Sequence, residues 1–133
     1  MNSLQALVNG WQAEWKSERA ETQMTLGKLI DRLSQLDPSL EIDGIEQPHS
    51  YRGYYSDLAF EQSENKRTAS EVLALAKSCI DVKFVGYKGA WFLMEQNTPV
   101  WIASYSSCGN RLISINDDGS IETAAEEEED GEL

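Results

Sequence analysis

TASEVLALAKSCIDVKFVGYKGAWFLM, residues 68–94, decides the fold class. Its first half repeats apolar residues at helical spacing, with Val72, Leu75, Ala76 and Cys79 on one face. Thr68 and Glu71 stand at the spacing of a capping box, in which hydroxyl and carboxylate each accept a main-chain N–H. A helix over 68–80 is predicted. The second half changes period: 82–86 and 91–94 are short β-branched and aromatic runs around the turn signal Lys88-Gly89. A helix passing directly into strands predicts an α+β fold.

Toward the N-terminus, Leu26, Leu29, Ile30, Leu33 and Leu36 form a second helical stripe. Thr25 is its expected N-cap and Asp37-Pro38 its stop. In 2–18, Leu4, Leu7, Val8, Trp11 and Trp15 predict an amphipathic helix. Its tryptophan-rich face either packs on the protein's own core or forms a dimer seam. Between these helices, 20–24 reads as a break. Residues 40–62 read as extended chain, including an alternating strand SYRGYYSDLAFE at 50–61.

Toward the C-terminus, 100–105 and 111–115 are further strands, set apart by Asn97-Thr98-Pro99, Ser107-Cys108-Gly109-Asn110 and Asp117-Asp118-Gly119. The expected architecture is a single α+β domain over 1–116. N-terminal helices at 2–36 and one central helix pack on one face of an antiparallel meander of about five to six strands within 40–116.

The 133 residues suffice for one hydrophobic core. The net charge of −12 is uneven: 117–133 hold nine acids and no base, while the other 116 residues hold 14 acids against 11 bases. The segment 117–133 therefore reads as an acidic, disordered tail on a mildly acidic fold. No basic stripe exists for binding DNA. No apolar run reaches the roughly 18 residues of a membrane helix, and 1–10 lack a secretory pattern, so a cytoplasmic location is expected. Cys79 reads as a buried hydrophobe and Cys108 as a turn residue; with one histidine and no paired cysteines, no metal site is expected.

The sequence has no nucleophile elbow, Walker loop or dinucleotide glycine fingerprint. Asp57 and Glu95 read as surface carboxylates, so neither catalysis nor a cofactor is expected. Three segments suit ligand binding instead. In the first, Tyr51 and Tyr55 would point to one side of a strand, and Arg52 and Tyr54 to the other. Stacked tyrosine and Arg52 would hold a planar base and a phosphate, or the tyrosines are simply core residues. In the second, Phe84-Val85-Gly86-Tyr87-Lys88-Gly89-Ala90-Trp91-Phe92 sets a cation between two glycines, where main-chain amides could approach an anion, or it is a tight hairpin. The third is Gly109-Asn110-Arg111, whose arginine is the sole base after Lys88.

SYRGYYSDLAFE, the capped helix, FVGYKG, NTPVWIA and GNRL together resemble small phage-encoded proteins similar to the first family of Thoeris anti-defence proteins. The resemblance spans residues 25–115. It implies sequestration, without cleavage, of a cyclic ADP-ribose isomer made by a TIR-domain sensor, in the host cytoplasm. It also implies a homo-oligomer, dimer or hexamer, and in some members a second site for cyclic di- or trinucleotides. It places Phe84 and Arg111 at the adenine, with Arg52 or Lys88 near the pyrophosphate. The alternative expectation is an acidic protein that inhibits a host protein by direct contact.

Overall fold

The computed structural model of the chain describes residues 20–51, 55–104 and 108–125, with main chain alone at Tyr87, Ser104 and Cys108. The helix expected over 2–18, the side chains of Arg52 and Tyr54, and residues 126–133 lie outside the described residues. Helix α1, Leu26–Gln35, begins where predicted: the Thr25 hydroxyl accepts the Lys28 N–H at 3.2 Å. Leu26, Leu29 and Leu33 are its buried stripe. Full burial of each such side chain contributes about 1.5–3 kcal/mol.

Strand β1, Glu41–Ser50, pairs antiparallel with β2, Leu58–Thr68. Thr68 ends β2 and also caps α2, Ala69–Lys77, through the complete capping box with Glu71. Helix α2 stops short of the expected Ile80. Ser78 folds its hydroxyl back onto the Leu75 carbonyl, and Asp81, at φ 62, sends its N–H to the Met94 carbonyl. Then come β3, Lys83–Val85, a tight turn at Tyr87–Gly89, and β4, Trp91–Leu93. Strands β5, Val100–Ser104, β6, Cys108–Ile115, and β7, Ile121–Ala124, complete the described chain.

The fold is α+β, as expected, but its sheet is mixed and not a simple meander. Five strands run in the order β1-β2-β5-β6-β7, and β3-β4 form a separate pair. Strand β5 lies parallel to β2, with Leu58 opposite Val100 and Phe60 opposite Ile102. Helix α2 and the β3–β4 pair supply the long crossover that a parallel neighbour requires.

Two further expectations are corrected. The segment 50–61 is not one strand: β1 ends at Ser50, and the Tyr51 N–H closes a connection onto the Asp57 carbonyl at 2.9 Å before β2 begins. Strand β2 continues instead to Thr68, its polar end paired, among the described residues, with β1 alone. The acidic segment is not a tail from residue 117 onward, and the domain does not stop at 116. Residues 121–124 form β7, with Ile121 opposite Ile115 and the Glu122 carboxylate accepting the Ser114 hydroxyl. Backbone pairing and one apolar contact outweigh the local charge there.

Helices α1 and α2 cover one face of the sheet. That main core includes Leu26, Leu29, Ile42, Phe60, Val72, Ile102 and Leu112. The other face carries a smaller buried cluster of Tyr51, Ala59, Trp101 and Ala103. Strand β5 serves both by alternation, with Val100 and Ile102 on one side and Trp101 and Ala103 on the other. No described helix is long and apolar enough to cross a membrane.

Candidate ligand-binding site

Tyr51 and Trp101 stack with ring centroids 4.4 Å apart and planes 11° from parallel. Both are buried, at 3% and 1% exposure, so Tyr51 is not an open stacking platform as the sequence suggested. Asp57, expected on the surface, is fully buried beneath them. Its Oδ2 accepts the Trp101 indole N–H at 2.8 Å, and its Oδ1 accepts the Ser56 hydroxyl at 3.3 Å. A buried carboxylate requires such donors. Sequence reasoning did not single out Trp101 and placed Asp57 on the surface. The alternating Val100-Trp101-Ile102-Ala103 pattern was the available signal for a strand buried on both faces, whereas nothing local marked Asp57 as buried.

The β3–β4 hairpin places the second segment. Phe84 pairs with Phe92 and packs half-buried against the main core. A side chain at Gly86 would meet the Phe92 ring at 2.8 Å and Ser50 Oγ at 3.0 Å. The space expected to admit an anion at Gly86 is thus filled by the protein itself. Beyond it, Lys88 is exposed in a left-handed conformation, φ 53, followed by Gly89 at φ 79. A side chain at Gly89 would meet nothing within 4 Å, so the open glycine of the turn is Gly89. Tyr55 stacks on Phe92 at 6.0 Å. The contacts of Gly86 with Ser50 and of Tyr55 with Phe92 bring the first two sequence segments to one end of the fold. Of Tyr87, only its place in the turn is described.

The third segment meets the first at Tyr51, where a side chain at Gly109 would lie 3.2 Å from the tyrosine ring. Arg111 is opposite Trp101 in the β5–β6 ladder, on the face away from α1 and α2. Its Nε donates to the Ala125 carbonyl at 3.3 Å and its Nη1 to the Thr22 carbonyl at 3.5 Å. Phe84 packs toward the main core, so one chain does not bring Phe84 and Arg111 together. Asn110, one residue away, is opposite Ile102 and lines a different, smaller cleft near the β1–β7 edge.

A shallow groove between β1 and α2 is lined by Glu46, Gln47, Arg67, Glu71, Ala74 and Leu75. Its carboxylates have partners: Glu46 accepts from Arg67 at 2.5 Å, and Glu71 accepts the Thr68 N–H in the capping box. The Arg67 hydrogen bond, with a smaller contribution from Ser63, holds the Glu46 carboxyl below the ordinary range. Two acids to one base make this groove a poor seat for a phosphate. Burial pushes the Cys79 thiol up, which leaves it inert toward nucleophilic chemistry near neutral pH. Among the described residues, no three His, Cys, Asp or Glu side chains are grouped to hold a metal ion.

Comparison with protein-family models, with curated proteins and with solved structures finds no match to this chain. The resemblance to Thoeris anti-defence proteins rests on the residues quoted for it.

Proposed function

We propose that the protein is a phage anti-defence sponge, which binds and sequesters a cyclic ADP-ribose-type signal nucleotide in the host cytoplasm without cleaving it. The observation that carries this reading is the junction of the β1–β2 connection with the β3–β4 turn. Gly86 abuts Ser50, Tyr55 lies against Phe92, and the exposed Lys88-Gly89 turn stands beside them. The half-buried Tyr55 ring, backed by the buried Phe92, next to an exposed cation and an open glycine suits a ligand with a base and a pyrophosphate. Stacking contributes roughly 1–3 kcal/mol per base, and a charge-assisted hydrogen bond about 1.5–3 kcal/mol. Sequestration asks only for tight, slowly reversed binding, so no general acid is needed.

Within this reading, the adenine contact implied for Phe84 and Arg111 joins two copies of the chain, because the two side chains occupy opposite sides of the sheet. The sponge is therefore a homo-oligomer whose site is shared.

Calorimetric titration of the full chain with cyclic ADP-ribose isomers tests the proposal, followed by heating and chromatography of the released ligand. Saturable binding with intact nucleotide recovered supports it, and Lys88→Ala and Arg111→Ala should each weaken binding at least tenfold. Recovery of a cleaved product overturns it. Absence of binding to any isomer shifts weight to inhibition of a host protein. That second reading is favoured by Val85 and Val82, 72% and 40% exposed at the hairpin.

A further inference from the structure

Among the described residues, strand β3 is paired along one edge alone, with β4. Between the two, the Met94 N–H donates to the Val82 carbonyl at 3.0 Å and the Gly86 N–H to the Ala90 carbonyl at 2.8 Å. Opposed residues of an antiparallel ladder alternate between hydrogen-bonded and non-hydrogen-bonded pairs. Phe84 and Phe92, midway between those contacts, are therefore a hydrogen-bonded pair, while Lys83 and Val85 oppose Leu93 and Trp91 at non-hydrogen-bonded positions. The main-chain N–H and C=O groups of Lys83 and Val85 thus point away from β4, along the other edge.

That edge is poorly guarded. Val85 is 72% exposed and Val82 40%. A lysine at an edge ordinarily deters pairing. Lys83, the one charge on β3, is instead drawn over the face of the hairpin, its Nζ 4.3 Å from the centre of the Trp91 ring. Val85 and Trp91 are opposed on that outer face, while Phe84 and Phe92 pack toward the main core. A row of outward main-chain groups beside an exposed valine is a template for another strand.

We infer that β3 is an interface between two copies of the chain, paired antiparallel about a two-fold axis at Phe84. In this register Lys83 of each copy lies opposite Val85 of the other, and both residues already turn their N–H and C=O groups to that edge. Phe84 meets Phe84 of the second copy at a non-hydrogen-bonded position, which asks for no donor. Val85 packs on the aliphatic stem of the facing lysine. Charge and strand length select this register. An axis at Lys83 would oppose two cations, and an axis at Val85 would run each strand into the Tyr87–Gly89 turn of the other. The ends agree, since Asp81 precedes β3 and Lys88 follows it. Antiparallel pairing brings the acidic end of one strand toward the basic end of the other, whereas parallel pairing would set like ends together. The contact is self-complementary, as a two-fold interface requires. It uses neither the Ser50–Gly86 contact nor Gly89, and does not depend on the sponge reading.

Sedimentation of the full chain over a range of concentrations, without nucleotide, tests the interface. Reversible dimerisation is expected. Val85→Lys sets a cation opposite Lys83 of the second copy and should weaken dimerisation at least tenfold. Val85→Pro removes an N–H that points away from β4 and should do the same. Val85 is exposed, so both variants should keep the parent's melting temperature. Adding Lys83→Glu to Val85→Lys sets opposite charges across the axis and should restore dimerisation to near the parent's level. A chain that stays monomeric throughout would overturn the inference. So would a dimer indifferent to Val85→Lys, as a seam at 2–18 would be, or a double variant no better than Val85→Lys alone.

Discussion

Glu46 and Glu61 stand directly opposite each other on the β1–β2 ladder, yet one is turned to a guanidinium and the other to an imidazole. Glu46 Oε1 accepts from Arg67 Nη2 at 2.5 Å, and Glu61 Oε2 lies 2.6 Å from His49 Nε2. Like charges at directly opposed positions repel, and this double pairing relieves the repulsion. The ladder shifts register between Glu46 and His49, where Gln47 takes φ 54. Pairing resumes at His49 and Ser50, opposite Ala59 and Leu58, and Ser50 leads into the proposed ligand end.

Arg67→Gln tests that pairing through pH. The Glu46 carboxyl is held below its unfolded-state value, chiefly by the Arg67 hydrogen bond. Its contribution is therefore fully present above the ordinary carboxylate range and disappears as pH falls through the lowered folded-state value. The parent should melt slightly higher than the variant at neutral pH, and the gap should close in strong acid. A gap that stays constant across melting curves from neutral to strongly acidic pH would show that Glu46 ionisation has no part in it.

Thr68→Ala removes one half of the capping box where β2 passes into α2. The Thr68 hydroxyl accepts the Glu71 N–H, and the Glu71 carboxylate accepts the Thr68 N–H. Loss of a cap costs about 1 kcal/mol. Urea denaturation should show a lower midpoint with an unchanged slope, whereas Glu71→Gln, which preserves the box, should lie close to the parent.

Trp101→Phe keeps a ring stacked on Tyr51 but takes the indole N–H away from the buried Asp57 carboxylate. Removing a donor from a buried polar group costs about 1–3 kcal/mol. Equilibrium unfolding should report a loss in that range. A loss below about 0.5 kcal/mol would mean that the Asp57 carboxylate regains its solvation by other means.

Gly119→Ala strikes the clasp between β1 and β7, in which the Asp43 N–H donates to the Gly119 carbonyl and the Asp43 carboxylate accepts the Ile121 N–H. Gly119 has φ 91, and a side chain there would lie 2.0 Å from the Glu41 carbonyl oxygen. Strain and steric conflict together should cost more than about 1 kcal/mol. Hydrogen exchange should quicken at the Asp43 and Ile121 amides, which the clasp protects. Unchanged protection at both amides would show that the clasp survives without the turn.

The sequence by itself determined what depends on near neighbours. Both described helices are capped where Thr25 and Thr68 announced them, because capping and the i to i+4 stripe involve residues within a turn or two of each other. The turns before β5 and β7 were legible for the same reason. Tertiary structure alone decided which strands became neighbours, since the parallel β2–β5 pair depends on where α2 and the hairpin return the chain. It also decided which faces were covered. Alternation put Tyr51 on a strand face, whereas it follows the end of β1, and only packing on both sides of the sheet buried it against Trp101 and drew Asp57 in beneath. The candidate site divided along the same line. The aromatic and basic residues could be named from the sequence, but Gly86 meets Ser50 while Phe84 and Arg111 part to opposite sides. That outcome follows from the register and curl of the sheet, which no short stretch of chain encodes.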